Sequence, residues 1–192
     1  MVDSNKTNPG KNGTITIKAK TLWSPSGDSG SKYTAAHGIA VGNFSQRFNK
    51  KVSEDLVKTT INADVVIEEL RGGSIKTTGI SSMDCSDLAI NGRFTIKPRA
   101  ISLMQWNRGD QSKTYGIYMI GSNNTISIAS ADIDDSKNGS LSDLIKTDES
   151  LWGGKTEKNV LRIGGGTLKV KENQKEPVSY THLRAHETDS YL

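Results

Sequence analysis

The sequence predicts an all-β protein, a solenoid of short strands interrupted by irregular loops, with a β-sandwich as the alternative. Three observations predict it. The apolar set holds 17 Ile and 9 Val against 12 Leu, and β-branched side chains favour the pleated, half-buried surface of a strand. Apolar and polar positions alternate over several short segments, which is the period of a strand with one buried face. Those segments also resemble one another, as repeated units do when each buries its few aliphatics against its neighbours.

Residues 1–13 form a polar lead-in rich in Asn, Lys and Gly. The strand pattern begins with TITIKA at 14–19 and returns in TTINADVVIEEL (59–70), LAINGRFTIKP (88–98), NTISIASADI (124–133) and VLRIGGGTLKVK (160–171). Between them SPSGDSGSK (24–32), LRGGS (70–74), NRGDQSK (107–113) and SKNGS (136–140) carry turn and loop chemistry. Segments 45–58 and 141–151 have spacings that suit a helical turn or two, with Phe48, Val52 and Leu56 on one face of the first, and irregular excursions from a β scaffold would look the same at this length.

The repetition is imperfect but specific. NGTITIK at 12–18 and NGRFTIK at 91–97 agree at Asn, Gly, Thr, Ile and Lys, and NNTISIA (123–129) and GGTLKVK (165–171) follow the same theme. A second theme, Gly-Ile with a downstream Gly, joins AAHGIAVGN (35–43) to KTYGIYMIGSNN (113–124). If the first set are equivalent strands, Ile15, Ile17, Phe94, Ile96, Ile126, Ile128, Leu168 and Val170 share one narrow core. Thr16, Thr95, Ser127 and Lys169 then face outward.

Composition sets the outer limits. The chain has 192 residues, 33% of them hydrophobic, a net charge of +4, one Cys and a mean hydropathy of −0.52. A lone Cys85 leaves no internal disulfide framework and no multi-cysteine metal site. No apolar run reaches the roughly 18 residues of a membrane helix, and the first residues lack the apolar stretch of a signal peptide. The Lys and Arg residues are spread along the chain without interleaved aromatics, which argues against a nucleic-acid partner.

Residues 177–192, PVSYTHLRAHETDSYL, break from everything before them and hold two of the three His. The run VSYTHLRAHET resembles the in-frame translation of a transposase-type sequencing-library adapter, with Pro177 as the junction. That reading excludes the segment from the fold, so the domain is 14–176, and it removes the His182-x-x-x-His186 spacing from consideration as a zinc site.

The segments KTYGIYMIGSNNTISIASADI (113–133) and VLRIGGGTLKV (160–170), with AAHGIAVGN and NGTITIKA less fully, resemble the passenger domains of bacterial autotransporters. The resemblance implies a right-handed parallel β-helix carried across both membranes of a Gram-negative cell and displayed outside it. It also implies that the export signal and the membrane barrel are encoded on sequence beyond this piece. The expected role is a structural stalk or adhesin with no catalysis and no cofactor. Its expected partners are a host-cell or matrix receptor or a glycan, and further copies meeting through open solenoid ends. The alternative is a polysaccharide-processing β-helix, a secreted lyase or hydrolase or a phage tailspike segment.

Few residues invite a chemical reading. Arg108, Gly109 and Asp110 form the tripeptide by which an adhesin engages an integrin-type receptor, although the same residues suit a turn. Asp132, Asp134 and Asp135, followed by Asn138 and Gly139, begin like a calcium loop, but Ile145 stands where the twelfth-position Glu belongs. His37-Gly38 together with those aspartates would be the carboxylate and imidazole set of the enzymatic alternative. Cys85 reads as a small, partly buried side chain, and Trp23, Trp106 and Trp152 as aromatics that pack over loops rather than as a sugar platform.

Overall fold

A computed structural model of the chain describes residues 13–20, 35–42, 55–72, 76–103, 113–135, 140–149 and 156–169, together with the backbone of 179–182. All regular structure among these residues is strand. In chain order the strands are β1 (Gly13–Lys20), β2 (Ala35–Gly42), β3 (Val57–Ile61), β4 (Ala63–Gly72), β5 (Lys76–Met83), β6 (Ser86–Ile96) and β7 (Ile101–Leu103). They continue with β8 (Lys113–Ile120), β9 (Thr125–Asp134), β10 (Asp143–Asp148), β11 (Val160–Ile163), β12 (Gly166–Lys169) and β13 (Ser179–His182).

These strands form two sheets. Strands β2, β5, β8 and β10 make a four-stranded sheet and the other nine make a second. Every pairing is parallel, so the antiparallel, face-to-face sandwich is not what the described strands build. The chain alternates between the sheets as it advances, and each return lays a strand beside its predecessor in the same direction. Hydrogen-bonded equivalents lie 29 residues apart at Asn62 and Asn91, 38 at Ser86 and Asn124, and 35 at Asn124 and Asn159. Loops of unequal length account for the uneven spacing of the repeats in sequence.

Register explains which similarities in the sequence are structural. Ile15, Val65, Phe94 and Ala131 stand in one row across the nine-stranded sheet, and Ile17, Ile67, Ile96, Ile133 and Leu168 stand in the next. NGTITIK and NGRFTIK are therefore equivalent, with β4 between them. NNTISIA is not at that level: Ile126 and Ile128 stand over Leu88 and Ile90, and under Leu161 and Ile163. Both sets point into one core, with Phe94 and Ile126 fully buried and Ile15, Ile17 and Leu168 packed against it from the ends. Thr16 and Lys169 are exposed, and Thr95 and Ser127 half-buried, on the opposite face. Val170 lies outside the described residues.

The Gly-Ile theme also has a structural cause. Ile39, Ile80 and Ile117 share a row of the four-stranded sheet, and the preceding Gly38, Gly79 and Gly116 stack above one another. A Cβ on Gly79 would lie 2.6 Å from the Gly116 carbonyl oxygen and 3.1 Å from Ile96 Cδ1, and one on Gly38 would lie 3.0 Å from Ile67 Cδ1. The glycines make room for isoleucine tips arriving from the other sheet. KTTGISSM in β5 carries the same theme, which the sequence comparison passed over.

Segment 141–151, given a helical spacing above, contains strand β10 instead. Leu144 and Ile145 are both buried, and Asp143, Ile145, Lys146, Thr147 and Asp148 pair along β8. Strand β10 lies at the sheet edge among the described strands and pairs with β8 on one side, and that ladder with the burial of Leu144 and Ile145 outweighs the helical spacing of an eleven-residue segment.

The corner from the four-stranded to the nine-stranded sheet repeats on three levels. Cys85, Asn123 and Lys158 occupy the left-handed region with φ of 52°, 57° and 57°, and Ser86, Asn124 and Asn159 follow them in register. Ser82 and Ser86 donate to Asn124 Oδ1 at 3.1 and 2.9 Å, and Asn124 Nδ2 donates to Ile120 O and to Asn159 Oδ1 at 3.0 and 2.9 Å. Asn159 Nδ2 in turn donates to Gly121 O at 2.8 Å. One polar side chain per level ties each turn to the next.

Candidate functional site

The four-stranded sheet is bent, and the bend gathers its chemistry. Lys76 at the start of β5 and Asp148 at the end of β10 meet, with Nζ 3.3 Å from Oδ2. Asp148 is level with Ile120 of β8 and Met83 of β5. A straight strand would carry Lys76 and Met83 about 23 Å apart, too far for the two side chains to close. The strands therefore fold toward their outer face, and the ladder is interrupted at Gly38, Gly79 and Gly116, where no side chain resists the bend.

The concave outer face is lined by Tyr115 and Tyr118, each 4% exposed, whose ring centroids are 5.1 Å apart. Lys76 Nζ donates to the Tyr118 hydroxyl at 2.6 Å, and that hydroxyl donates to Asp148 Oδ2 at 2.9 Å. Burial and the Asp148 carboxylate both oppose ionisation of the phenols. Tyr115 is pushed up to about 12, first by burial and then by Asp148 and Asp143. Tyr118 is raised further by burial, by the charge of Asp148 and by its hydrogen bond. Both phenols are neutral at physiological pH, so the cluster holds buried aromatic rings, one cation and carboxylates rather than a tyrosinate.

His37 stands on the same sheet, level with Thr78 and, one strand on, Tyr115. Its Nδ1 and the Thr78 hydroxyl are 2.6 Å apart, and burial lowers its pKa to about 4. Ser81, in the row of Tyr118, is fully buried, and its hydroxyl has no hydrogen-bond partner among the described residues.

The residues singled out by sequence divide differently. Arg108, Gly109 and Asp110 lie outside the described residues, as do Trp23, Trp106 and Trp152. The aspartates of the calcium-like run do not converge. Asp132 pairs with Arg93 at 3.4 Å and accepts from Thr167 N, Asp134 pairs with Lys169 at 3.2 Å, and buried Asp135 accepts from Leu141 N at 3.2 Å. Among the described residues no group of three or more His, Cys, Asp or Glu is placed to hold a metal ion. His37 is on the four-stranded sheet and those aspartates are on or beside β9 of the other sheet, so they form no joint site. Cys85 is buried at the corner, where Asn123 Nδ2 reaches its Sγ at 3.9 Å.

Sequence reasoning missed Lys76, Tyr118 and Asp148. Their partners are 42, 72 and 30 residues apart, and the signal that could have found them is the second Gly-Ile theme, which aligns β5 with β8. No helix among the described residues is long and apolar enough to cross a membrane. No family model, characterised protein or solved structure compared with this chain matches it.

Proposed function

We propose that residues 14–176 are a segment of a parallel β-helix that serves as an autotransporter-like passenger on a bacterial surface, a stalk or adhesive face without chemistry of its own. The observation that carries this reading is the alternation of the chain between two wholly parallel sheets, with aliphatic rows stacked inward. A β-helix winds in this way, and it lengthens by adding turns while its loops vary. The outer face of the nine-stranded sheet supports a stalk. Its rows read Thr16, Val66, Thr95, Asp132 and Thr167, then Thr60, Ala89, Ser127 and Arg162, mostly small polar and charged groups. A receptor or glycan would engage the loops. The test is to place the chain between an export signal and a membrane-barrel translocator in a Gram-negative host. The reading expects a folded, protease-resistant passenger outside the cell, and retention in the periplasm or degradation there overturns it.

The cluster of Lys76, Tyr118 and Asp148, a cation and a carboxylate on neighbouring strands, favours a second reading, a polysaccharide-processing β-helix. That reading expects turnover of an acidic polysaccharide that Lys76→Met abolishes, whereas the stalk reading expects no turnover in either form.

A further inference from the structure

The long strands of the nine-stranded sheet are interrupted at a shared level. The ladder of β3 with β6 ends at Ile61 and Ile90, and that of β4 with β6 resumes at Val65 and Phe94. On the other side of β6, pairing with β9 ends at Ile90 and Ile128 and resumes at Arg93 and Ser130. Two residues of β6, Asn91 and Gly92, therefore stand opposite the single Ala129, the count of a β-bulge. The same level separates β11 from β12 at Gly164 and Gly165. Asn91 and Gly92 have no register partner on either side, and the next amide, Arg93 N, donates to the Asp64 side chain at 2.7 Å.

The chemistry of this pair follows from its place. The Asn91 side chain is exposed, and its Nδ2 donates to Asn62 Oδ1 at 2.7 Å. Gly92 is buried, and a Cβ there would overlap the Ala63 carbonyl oxygen, so the close approach of the neighbouring chain requires glycine. A glycine after asparagine is also the residue that least obstructs attack of the following amide nitrogen on the asparagine side-chain carbonyl carbon. In a regular strand the ladder ties that amide to the neighbouring chain, and at a bulge the tie lapses. The fold thus demands, beside an exposed asparagine, the one residue that leaves it open to attack.

We propose that Asn91 is a site of spontaneous deamidation in the folded protein. The Gly92 amide nitrogen gives its proton to solvent and bonds to Asn91 Cγ. The Cγ–Nδ2 bond breaks, and Nδ2 takes a proton from water and leaves as ammonia. Water then opens the resulting succinimide at either carbonyl, giving aspartate or isoaspartate, so the whole change consumes one water and releases one ammonia. Either product replaces the donor to Asn62 Oδ1 by a carboxylate, and isoaspartate lengthens the backbone by one methylene where neither ladder has a pair to break. This rests on the observed register and not on any role at a cell surface.

Trypsin releases residues 77–93, in which Asn91 is the only side-chain amide. The full chain is aged at mildly alkaline pH beside a synthetic peptide of that sequence, while circular dichroism confirms that the chain stays folded. The mass of the fragment reports conversion of amide to acid, and labelling by an isoaspartyl methyltransferase reports the succinimide route. Asn91 in the folded chain should convert within about tenfold of the peptide rate, the cost of a local opening. A reaction that needed global unfolding would be slower by roughly a thousandfold or more. Asn91→Gln, which keeps the amide but must close a six-membered ring, should leave its fragment unchanged over the same period. A folded chain slower than the peptide by more than that margin overturns the proposal. So does conversion without isoaspartate label, or an equal mass gain in the Asn91→Gln fragment.

Discussion

Removing the Asn124 side chain should be among the most costly changes in the molecule that touch no aliphatic group. The side chain is wholly buried and makes four hydrogen bonds, accepting from Ser82 and Ser86 and donating to Ile120 O and Asn159 Oδ1. Asn124→Ala forfeits all four, but several partners keep an alternative. Ser82 and Ser86 contact each other, Ile120 O still accepts from Asp84 N, and Asn159 Oδ1 still accepts from Asn124 N. With neutral bonds at about 1 kcal/mol each and a small cavity added, the loss is about 3 to 4 kcal/mol. Asn124→Asp is the sharper probe. One carboxylate oxygen keeps the serines, while the other faces two acceptors, Ile120 O and Asn159 Oδ1, at the 3.0 and 2.9 Å now spanned by Nδ2. The folded state then favours the protonated acid, so its pKa exceeds the unfolded value of about 3.9. Stability is retained below that value and lost as pH rises through the folded pKa, at about 1.4 kcal/mol per unit between the two. Urea denaturation across pH, with the slope unchanged, measures both effects. An Asn124→Asp protein as stable as wild type at neutral pH would refute the assignment of donors and acceptors at this corner.

Three further outcomes can be checked by denaturation, with urea across pH for the first and by heating for the other two. His37 is lowered from 6.5 to about 4 by burial, so the unfolded chain takes up its proton first; stability should fall as pH drops from about 6.5 toward 4, by at most about 3 kcal/mol, and His37→Gln should flatten that limb. Lys158 is exposed with φ of 57°, so Lys158→Asn, which tolerates the left-handed region, should stabilise by about 0.5–1 kcal/mol, while an unchanged or lower melting temperature would contradict the turn assignment. The backbone of β13 pairs with β11, yet the adapter reading of 177–192 expects truncation after Glu176 to leave the melting temperature unchanged, and a clear drop would show that this pairing stabilises the fold.

Much of the fold could be read from the sequence because its signals are local. Alternation over five to ten residues decides which side chains of a strand face inward, and that sufficed to place Ile15, Ile17, Phe94 and Ile96 in the core. It also located the Gly-Ile theme that marks β2 and β8. The level at which two strands pair is a separate matter. NNTISIA looks like NGTITIK residue by residue, yet one pairs with DLAI and the other with ADVVI, because a Thr-Ile-x-Ile pattern satisfies either half of a long strand equally well. Segment 141–151 stayed open between a helical turn and an excursion from the β scaffold, because Leu144 and Ile145 are buried by a ladder with β8 that no local pattern in those residues announces.

The tyrosine cluster and the surface ion pairs were unreadable for one shared cause. Each is made by residues that occupy the same place on successive levels, and the intervals between levels vary with loop length, from 19 residues at Val160 and Ser179 to 51 at Lys18 and Glu69. Without a fixed period, Lys97 cannot be assigned to Glu68 or Lys169 to Asp134, and each lysine reads as an isolated surface charge. Single exposed ion pairs contribute little to stability, so energetic reasoning would also pass over them. A chain whose loops vary in length still needs a device that fixes which level lies beside which, and the buried hydrogen bonds from Ser86 to Asn124 and from Asn124 to Asn159 provide one across three levels without altering the packed aliphatic rows beside them.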